Sequence, residues 1–493
     1  MKGKEIYNKG LMIYVWVTLL CYVFGSLAPV VSVIKFTPFY SYQRYLGILG
    51  MLLILADVMI NRSIYRKNHV IFLYILMFSA GVSSLKTMEY GIKDNIFGLA
   101  WMLIPIYLFY SLFDRYDKEV IERTCRRMYY CVSTIWLLSI VGSLGSFLFN
   151  TGFGRITNPY NVESLTRQGF SENRFFGSFM SINVAAIISG IIIIAAICIL
   201  VKSKKVSEKV LSIVQIFFNL VYVILSGSRT GYLGLIVVCF IFGVYYTYYK
   251  VKDSWHVVVK LLAALVSGVC ISFAFIFLVS CGKVALGTIP GYDFFKDNRA
   301  KYERFISKDP NVKLKVVETE EEEEEEEEEF LEREDVNSEN ISNNRFQIWG
   351  DYIGLYKEIG LFGFSPSNYS RAIMEDYPDI YIVKHIKDYN PDMYKAGTIY
   401  HPHNTYIGVF VFSGWIGLFG VLAYLLLCMK DCINHFVTKR KSPTVWVTGG
   451  MLIVFYCLIS GVFDLEMFFV NNILTCIFWL VAGYVMHGIR EEK

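Results

Sequence analysis

The sequence of 493 residues predicts an all-α polytopic membrane protein, with about twelve transmembrane helices and one large outer-face loop containing an amphipathic helix. Three observations predict it. The composition is 55% hydrophobic and 16% aromatic but only 18% charged, where soluble proteins average about 25% charge. The apolar residues fall in blocks of roughly 17–25, long enough to cross ~30 Å of hydrocarbon at ~1.5 Å per residue. Lysine and arginine concentrate in every second short loop, as the positive-inside rule requires. Mean hydropathy is +0.44. The expected partner is therefore the lipid bilayer and not nucleic acid.

Taken in order, the apolar stretches are 11–32, 44–60, 69–85, 95–113, 129–149, 177–201, 210–226, 230–249, 257–281, 405–429, 444–462 and 467–486. The run from Leu11 follows a basic segment and has no small-residue cleavage site, so it reads as a first membrane helix rather than a leader. One set of loops carries twenty-three Lys and Arg, from Lys2 through Arg115 and Lys204 to Lys493. The opposite short loops carry eight, including Lys35, Lys86, Arg174 and Arg229. This places both termini in the cytoplasm. It also divides the chain into nine helices over 1–281, an extracytoplasmic loop over 282–404, and three helices over 405–493. Eleven cysteines are present, but all except Cys281 fall in apolar blocks or on the cytoplasmic side, and no CxxC pair suggests zinc.

The outer face holds the polar chemistry. Residues 150–176 lead to Arg174-Phe-Phe-Gly177 and then Asn183. Stretches seven and eight are joined by the tight turn Ser226-Gly-Ser-Arg-Thr-Gly231, with Ser228 and Arg229 at its apex. Ten consecutive glutamates, Glu320 to Glu329, repel one another and read as a solvated tether. Residues 343–360 begin an ordered segment at Arg345. There Phe346, Trp349, Ile353, Tyr356 and Ile359 recur at helical spacing and predict an amphipathic helix that lies on the membrane surface or caps the bundle.

The loop ends in His401-Pro-His403-Asn404, at the mouth of the tenth stretch, and Gly414-Trp-Ile-Gly417 follows inside that stretch. Guanidinium groups bind diphosphate oxygens as forks and stay charged, and a neutral imidazole takes a proton from a hydroxyl. The set suits a reaction on a lipid-linked diphosphate. His401 reads as a supporting residue. Asp464 and Glu466, in the last outer loop, are placed either to hold an arginine or to form a plain polar turn.

Four motifs in register resemble the bacterial O-antigen ligases and the related polysaccharide repeat-unit polymerases: Arg174-x-x-Gly177 with Asn183, the 226–231 turn, Arg345 with Trp349, and His403-Asn404 followed by Gly414 and Gly417. The resemblance spans roughly residues 170–480. It implies a cofactor-free, metal-independent, inverting glycosyl transfer at the outer face of the bacterial cytoplasmic membrane. The donor is a glycan on undecaprenyl diphosphate and the acceptor is a glycan hydroxyl. In this scheme His403 is the general base and Asn404 orients it. Arg229 and Arg345 grip the diphosphate, and Arg174 assists. The resemblance covers both activities and does not separate them; a repeat-unit polymerase of exopolysaccharide or capsule, associated with other polysaccharide-assembly proteins, is the reading adopted. A ligase moving finished glycan to a lipid or protein is the alternative. A non-catalytic flippase requires charges through the bundle, whereas Asp57 and Lys260 lie near helix ends. A metal-dependent oligosaccharyltransferase requires acids in the first outer loop, and Lys35–Arg44 has none.

Overall fold

The computed structural model describes residues 2–34, 37–61, 67, 69–148, 156–157, 163–164, 169–171, 174–251, 256–287, 344–438, 445–464 and 467–491. The glutamate tract and Glu466 lie outside the described residues. The helices that run through the bundle are α1 (Lys2–Gly25), α2 (Ala28–Ile34), α3 (Tyr42–Ile60), α4 (Val70–Lys86), α5 (Ile92–Ile104), α6 (Lys118–Leu148), α7 (Ile182–Lys202), α8 (Val206–Leu225), α9 (Arg229–Lys250) and α10 (Val257–Gly287). The large loop contributes α11 (Arg345–Gly354), α12 (Tyr356–Ile359), α13 (Tyr369–Asp376), α14 (Tyr381–Tyr389) and α15 (Pro391–Lys395). The chain then closes with α16 (Thr405–Thr438), α17 (Val445–Ser460) and α18 (Ile473–Glu491). Four short strands form two small hairpins, β1 (Ile156–Thr157) with β2 (Glu163–Ser164) and β3 (Gly169–Ser171) with β4 (Arg174–Gly177).

Among the described residues ten segments are long and apolar enough to cross a membrane, and α4 and α17 are shorter apolar helices. The protein is an all-α polytopic membrane protein. Each apolar stretch read from the sequence overlaps one of these helices, ten of which are long enough to cross. Besides the tenth, treated below, two stretches are interrupted. The first divides near Leu27, where Ala28 N donates to Ser178 O (2.8 Å) and Met180 N to Ser26 O (2.9 Å), stitching the α1–α2 junction to the segment after β4. The fourth continues beyond α5 as a π-helical turn, Pro105–Tyr110, because Pro105 lacks the amide that an α-helix needs there.

The main core is shared by α1, α5, α6, α7 and α18 and is filled by large rings, including Trp136, Trp479, Tyr110 and Phe113. Helix α7 is apolar on all sides and largely enclosed by its neighbours, as a helix without a polar face must be. Asp57 of α3 is fully buried and pairs with Arg115, while Asn61 Nδ2 donates to its Oδ1 at 2.7 Å. Lys260 sits over the Tyr248 ring at 4.6 Å.

A second, separate core binds the loop helices to the first half of α16 through Ile348, Tyr352, Ile373, Ile386 and Phe412. Here the structure corrects the amphipathic-helix reading. The helical segment is divided at Leu355 into α11 and α12, and its inward stripe is Ile348, Tyr352, Leu355 and Ile359. Of the residues expected to share the buried face, Phe346, Ile353 and Tyr356 are exposed, and only Ile359 is deeply buried. The segment is apolar on more than one stripe, and contacts with α14 and the 399–402 segment decide which stripe turns inward.

Candidate functional site

Two clusters form at the end of the bundle from which α9 and α16 start. The first is the turn between α8 and α9. Gly227 takes φ 57, which lets the chain reverse at once. Ser228 then caps α9, its hydroxyl accepting from Gly231 N at 3.4 Å. Arg229 is consequently the first residue of α9, half-buried. Arg174 is buried beneath this turn. Its Nε donates to Ser226 O (2.9 Å) and its Nη2 to Asn183 Oδ1 (3.2 Å), an oxygen that also accepts from Ser228 Oγ (3.1 Å). Arg174, Asn183, Ser226 and Ser228 thus form one polar network that fixes the position of Arg229.

The second cluster is built around His403. Trp349 Nε1 donates to Pro402 O (2.7 Å), and Tyr352 Oη donates to Tyr400 O (2.5 Å), so α11 holds the His401–Asn404 segment by its backbone. Arg345 lies one turn before Trp349, on the same side of α11. The Tyr369 hydroxyl meets His401 Nδ1 at 2.7 Å. Packing around the ring and the neighbouring His403 pull the His401 pKa below the usual histidine range, an effect moderated because the residue is exposed to solvent.

His403 adopts φ 46, a left-handed conformation that costs a non-glycine residue energy and concentrates at functional sites. Its Nδ1 lies 3.8 Å from Asp464 Oδ1, and its side chain keeps 37% exposure. The pairing is enforced from below. Thr405 N donates to Gly461 O (2.7 Å) and Thr405 Oγ1 to Asp464 O (2.9 Å), docking the first turn of α16 onto the end of α17. Asn404 is the cap of α16, with Oδ1 accepting from Tyr406 N (2.9 Å) and Ile407 N (3.0 Å).

Helix α17 joins the two clusters. Tyr456 Oη donates to Gly231 O (3.2 Å) in the first turn of α9, and the 461–464 turn carrying Asp464 begins five residues later. The Trp349 ring reaches Phe463 of the same turn at 6.5 Å between centroids. Arg229, Arg345, His403 and Asp464 therefore belong to one end of the bundle.

Gly414 and Gly417 act further along α16. Gly414 (φ 60, ψ −164) breaks the helix, and the turn segment Gly360–Ser365 fills the break. Phe364 N donates to Val411 O (2.8 Å), Ser365 N to Phe412 O (3.2 Å), Trp415 N to Gly360 O (3.2 Å) and Ile416 N to Leu361 O (3.1 Å). From α4, Ser83 Oγ adds a bond to Phe412 O (2.9 Å), and Ser79 Oγ one to Ser413 O (2.5 Å). Every backbone group named here finds a partner, the condition for breaking a helix inside an apolar bundle. A Cβ at Gly414 would lie 2.4 Å from Leu361 O. Gly417 lies against Ser413 and Leu76, where α16 approaches α4.

Residues 214–422 match the family model described as O-antigen ligase. Over that stretch, somewhat less than half of its length, the chain is similar to the O-antigen ligases. The matched range runs from α8 to the far side of the Gly414 break and includes Arg229, Arg345, His403, Asn404, Gly414 and Gly417, while Arg174 and Asp464 lie outside it. No curated protein matches this chain. Of the residues gathered around His403, the sequence reading did not pair Asp464 with the histidine. The signal open to it was the pair Asp464 and Glu466 in a short turn, and nothing in the linear spacing ties that turn to residue 403.

Proposed function

We propose that this membrane protein transfers a glycan from undecaprenyl diphosphate to the hydroxyl of an acceptor sugar on the outer face of the bacterial cytoplasmic membrane. The observation that carries the reading is the convergence of Arg229, Arg345, His403 and Asp464 at one end of the bundle, in a chain similar to the O-antigen ligases.

His403 takes the proton of the acceptor hydroxyl as that oxygen bonds to the anomeric carbon. The bond from that carbon to the diphosphate oxygen breaks, with inversion, and the lipid diphosphate leaves with the bond electrons. The proton passes from His403 to solvent. Arg229 and Arg345 stabilise the departing charge as preorganised forks, without a metal. Arg174 holds the turn under Arg229, since two of its donors are engaged by Ser226 and Asn183. Asp464 orients the His403 ring through Nδ1, which leaves Nε2 for the acceptor. Asn404 places His403 by capping the next helix.

The favoured acceptor is another copy of the repeat unit, making the enzyme a polymerase. A ligase reading is favoured by the description of the matching family, and the two differ only in the acceptor. The test is a purified, reconstituted protein given a lipid-linked repeat unit. A polymerase lengthens the lipid-linked glycan with no other acceptor present. A ligase leaves it unchanged until a second acceptor is added. Turnover abolished by a chelator would overturn the metal-independent mechanism.

A further inference from the structure

At the opposite end of the bundle from His403 lies a cavity of about 540 Å³, within the ~300–1,000 Å³ range of small-molecule sites. Its position follows from the helices around it. Helix α17 ends at Ser460 beside the His403 cluster, so Trp446 and Gly449, which line the cavity, are at its other end. Helix α6 likewise contributes its beginning, while Ser143 near its end bonds Ser178 beside the Arg174 strand.

Three features of this cavity act together. Its walls are aliphatic and deep, with Ile188 and Ile192 of α7, Ile453 of α17 and Leu480 of α18 all buried. Its mouth is charged and exposed, with Glu119, Glu122, Arg123 and Arg126 from the first turns of α6. Arg126 is anchored there by Glu208 of α8. Between mouth and walls, α6 presents Tyr129 and Ser133, whose hydroxyls lie beside each other along the helix.

Glu122, Arg126, Tyr129 and Ser133 occur at i, i+4, i+7 and i+11 and so share one face of α6. At ~1.5 Å per residue, Tyr129 stands about 4.5 Å and Ser133 about 10.5 Å below Arg126 along the helix. The order from mouth to depth is charge, hydroxyl, hydroxyl, hydrocarbon. A glycerophospholipid has the same order, with a charged phosphate headgroup, ester carbonyls below it and acyl chains below those. An isoprenoid phosphate lacks the ester carbonyls. The balance of two acids and two bases at the mouth matches a zwitterionic headgroup.

We infer that this cavity is a binding site for one phospholipid, which seats an acyl chain among α6, α7, α17 and α18. The phosphate lies at Arg123 and Arg126, and the ester carbonyls accept from the α6 hydroxyls. The site is independent of the transfer reaction at the other end of the bundle.

The test uses the full chain reconstituted in phosphatidylethanolamine and phosphatidylglycerol vesicles containing a phosphatidylethanolamine with a photoreactive group on its acyl chain. Labelled peptides are read by mass spectrometry. Labelling at Ile192 and Ala195 is compared with labelling at Phe273, an exposed residue of α10. The expected result is strong cavity labelling that falls about tenfold in Ala195→Trp, where the ring fills the chamber, with Phe273 labelling unchanged. If that variant does not fold, Tyr129→Phe removes one oxygen, and the ratio is expected to fall about fivefold, the equivalent of one hydrogen bond. Cavity labelling that neither variant lowers overturns the site. Labelling by a photoreactive polyprenyl phosphate but not by the phospholipid overturns the assigned occupant.

Discussion

His403 and Asn404 are adjacent in sequence, but the structure gives them different work. Asn404 has its carbonyl committed to two backbone amides of α16, so Asn404→Ala is expected to cost about 1 kcal/mol of stability through loss of a helix cap. Thermal unfolding in detergent measures it, and Asn404→Ser or Asn404→Asp should restore most of the loss. Asp464 is expected to act through His403. Asp464→Asn should lower kcat with little change in KM, and Asp464→Glu should recover part of it. A matching rise in KM would instead mark Asp464 as a substrate contact. The sequence made the histidine legible because an imidazole beside an N-cap asparagine at the start of an apolar run is a local pattern. Asp464 was not legible as its partner, because their proximity is created by Thr405 docking on Gly461 and Asp464, a contact between two helix ends.

At the level of elements, the broken helix α16 is the device that joins the large loop to the bundle. The turn segment Gly360–Ser365 supplies amides and carbonyls to the helix break, and Asn368 Nδ2 continues the docking by donating to Thr87 O and Gly91 O (3.0 Å each). Gly414→Ala forces a Cβ onto the Leu361 carbonyl and a strained φ, at a cost on the order of 1–3 kcal/mol or more. The expected outcome is faster limited proteolysis within 360–371 while the helical circular dichroism of the bundle is retained. The glycines of the Gly414–Gly417 motif were visible in the sequence, but the break was not, because the apolar run continues unbroken through it. The inward face of α11 was likewise misread, since only the tertiary neighbours Tyr400 and Pro402 distinguish one apolar stripe from the other.

At the scale of the whole molecule, periodicity and block length were sufficient to read the all-α membrane bundle, since hydrocarbon imposes both. Which helices adjoin was not readable, because lipid-facing and helix-facing residues are equally apolar. Helix α10 shows this, being nearly as hydrophobic as buried α7 while exposing Phe273 and Phe277. The buried Asp57–Arg115 pair joins α3 to the segment before α6, and removing one partner leaves the other as an uncompensated buried charge. Asp57→Ala is accordingly expected to lower stability by about 3–5 kcal/mol and to reduce membrane abundance, measured by quantitative immunoblot.

The central claim is that His403 performs proton transfer in glycan assembly. Its most direct test is the size profile of lipid-linked and surface glycans in a strain lacking this protein, complemented with the wild type or with His403→Ala. The account predicts a rate loss of ~10²–10⁴ for the variant at normal membrane abundance. Single repeat units should then accumulate on the lipid carrier. Long polymer retained on the carrier would keep the catalytic histidine and transfer the assignment to a ligase. A wild-type profile from correctly inserted His403→Ala would contradict the catalytic account altogether.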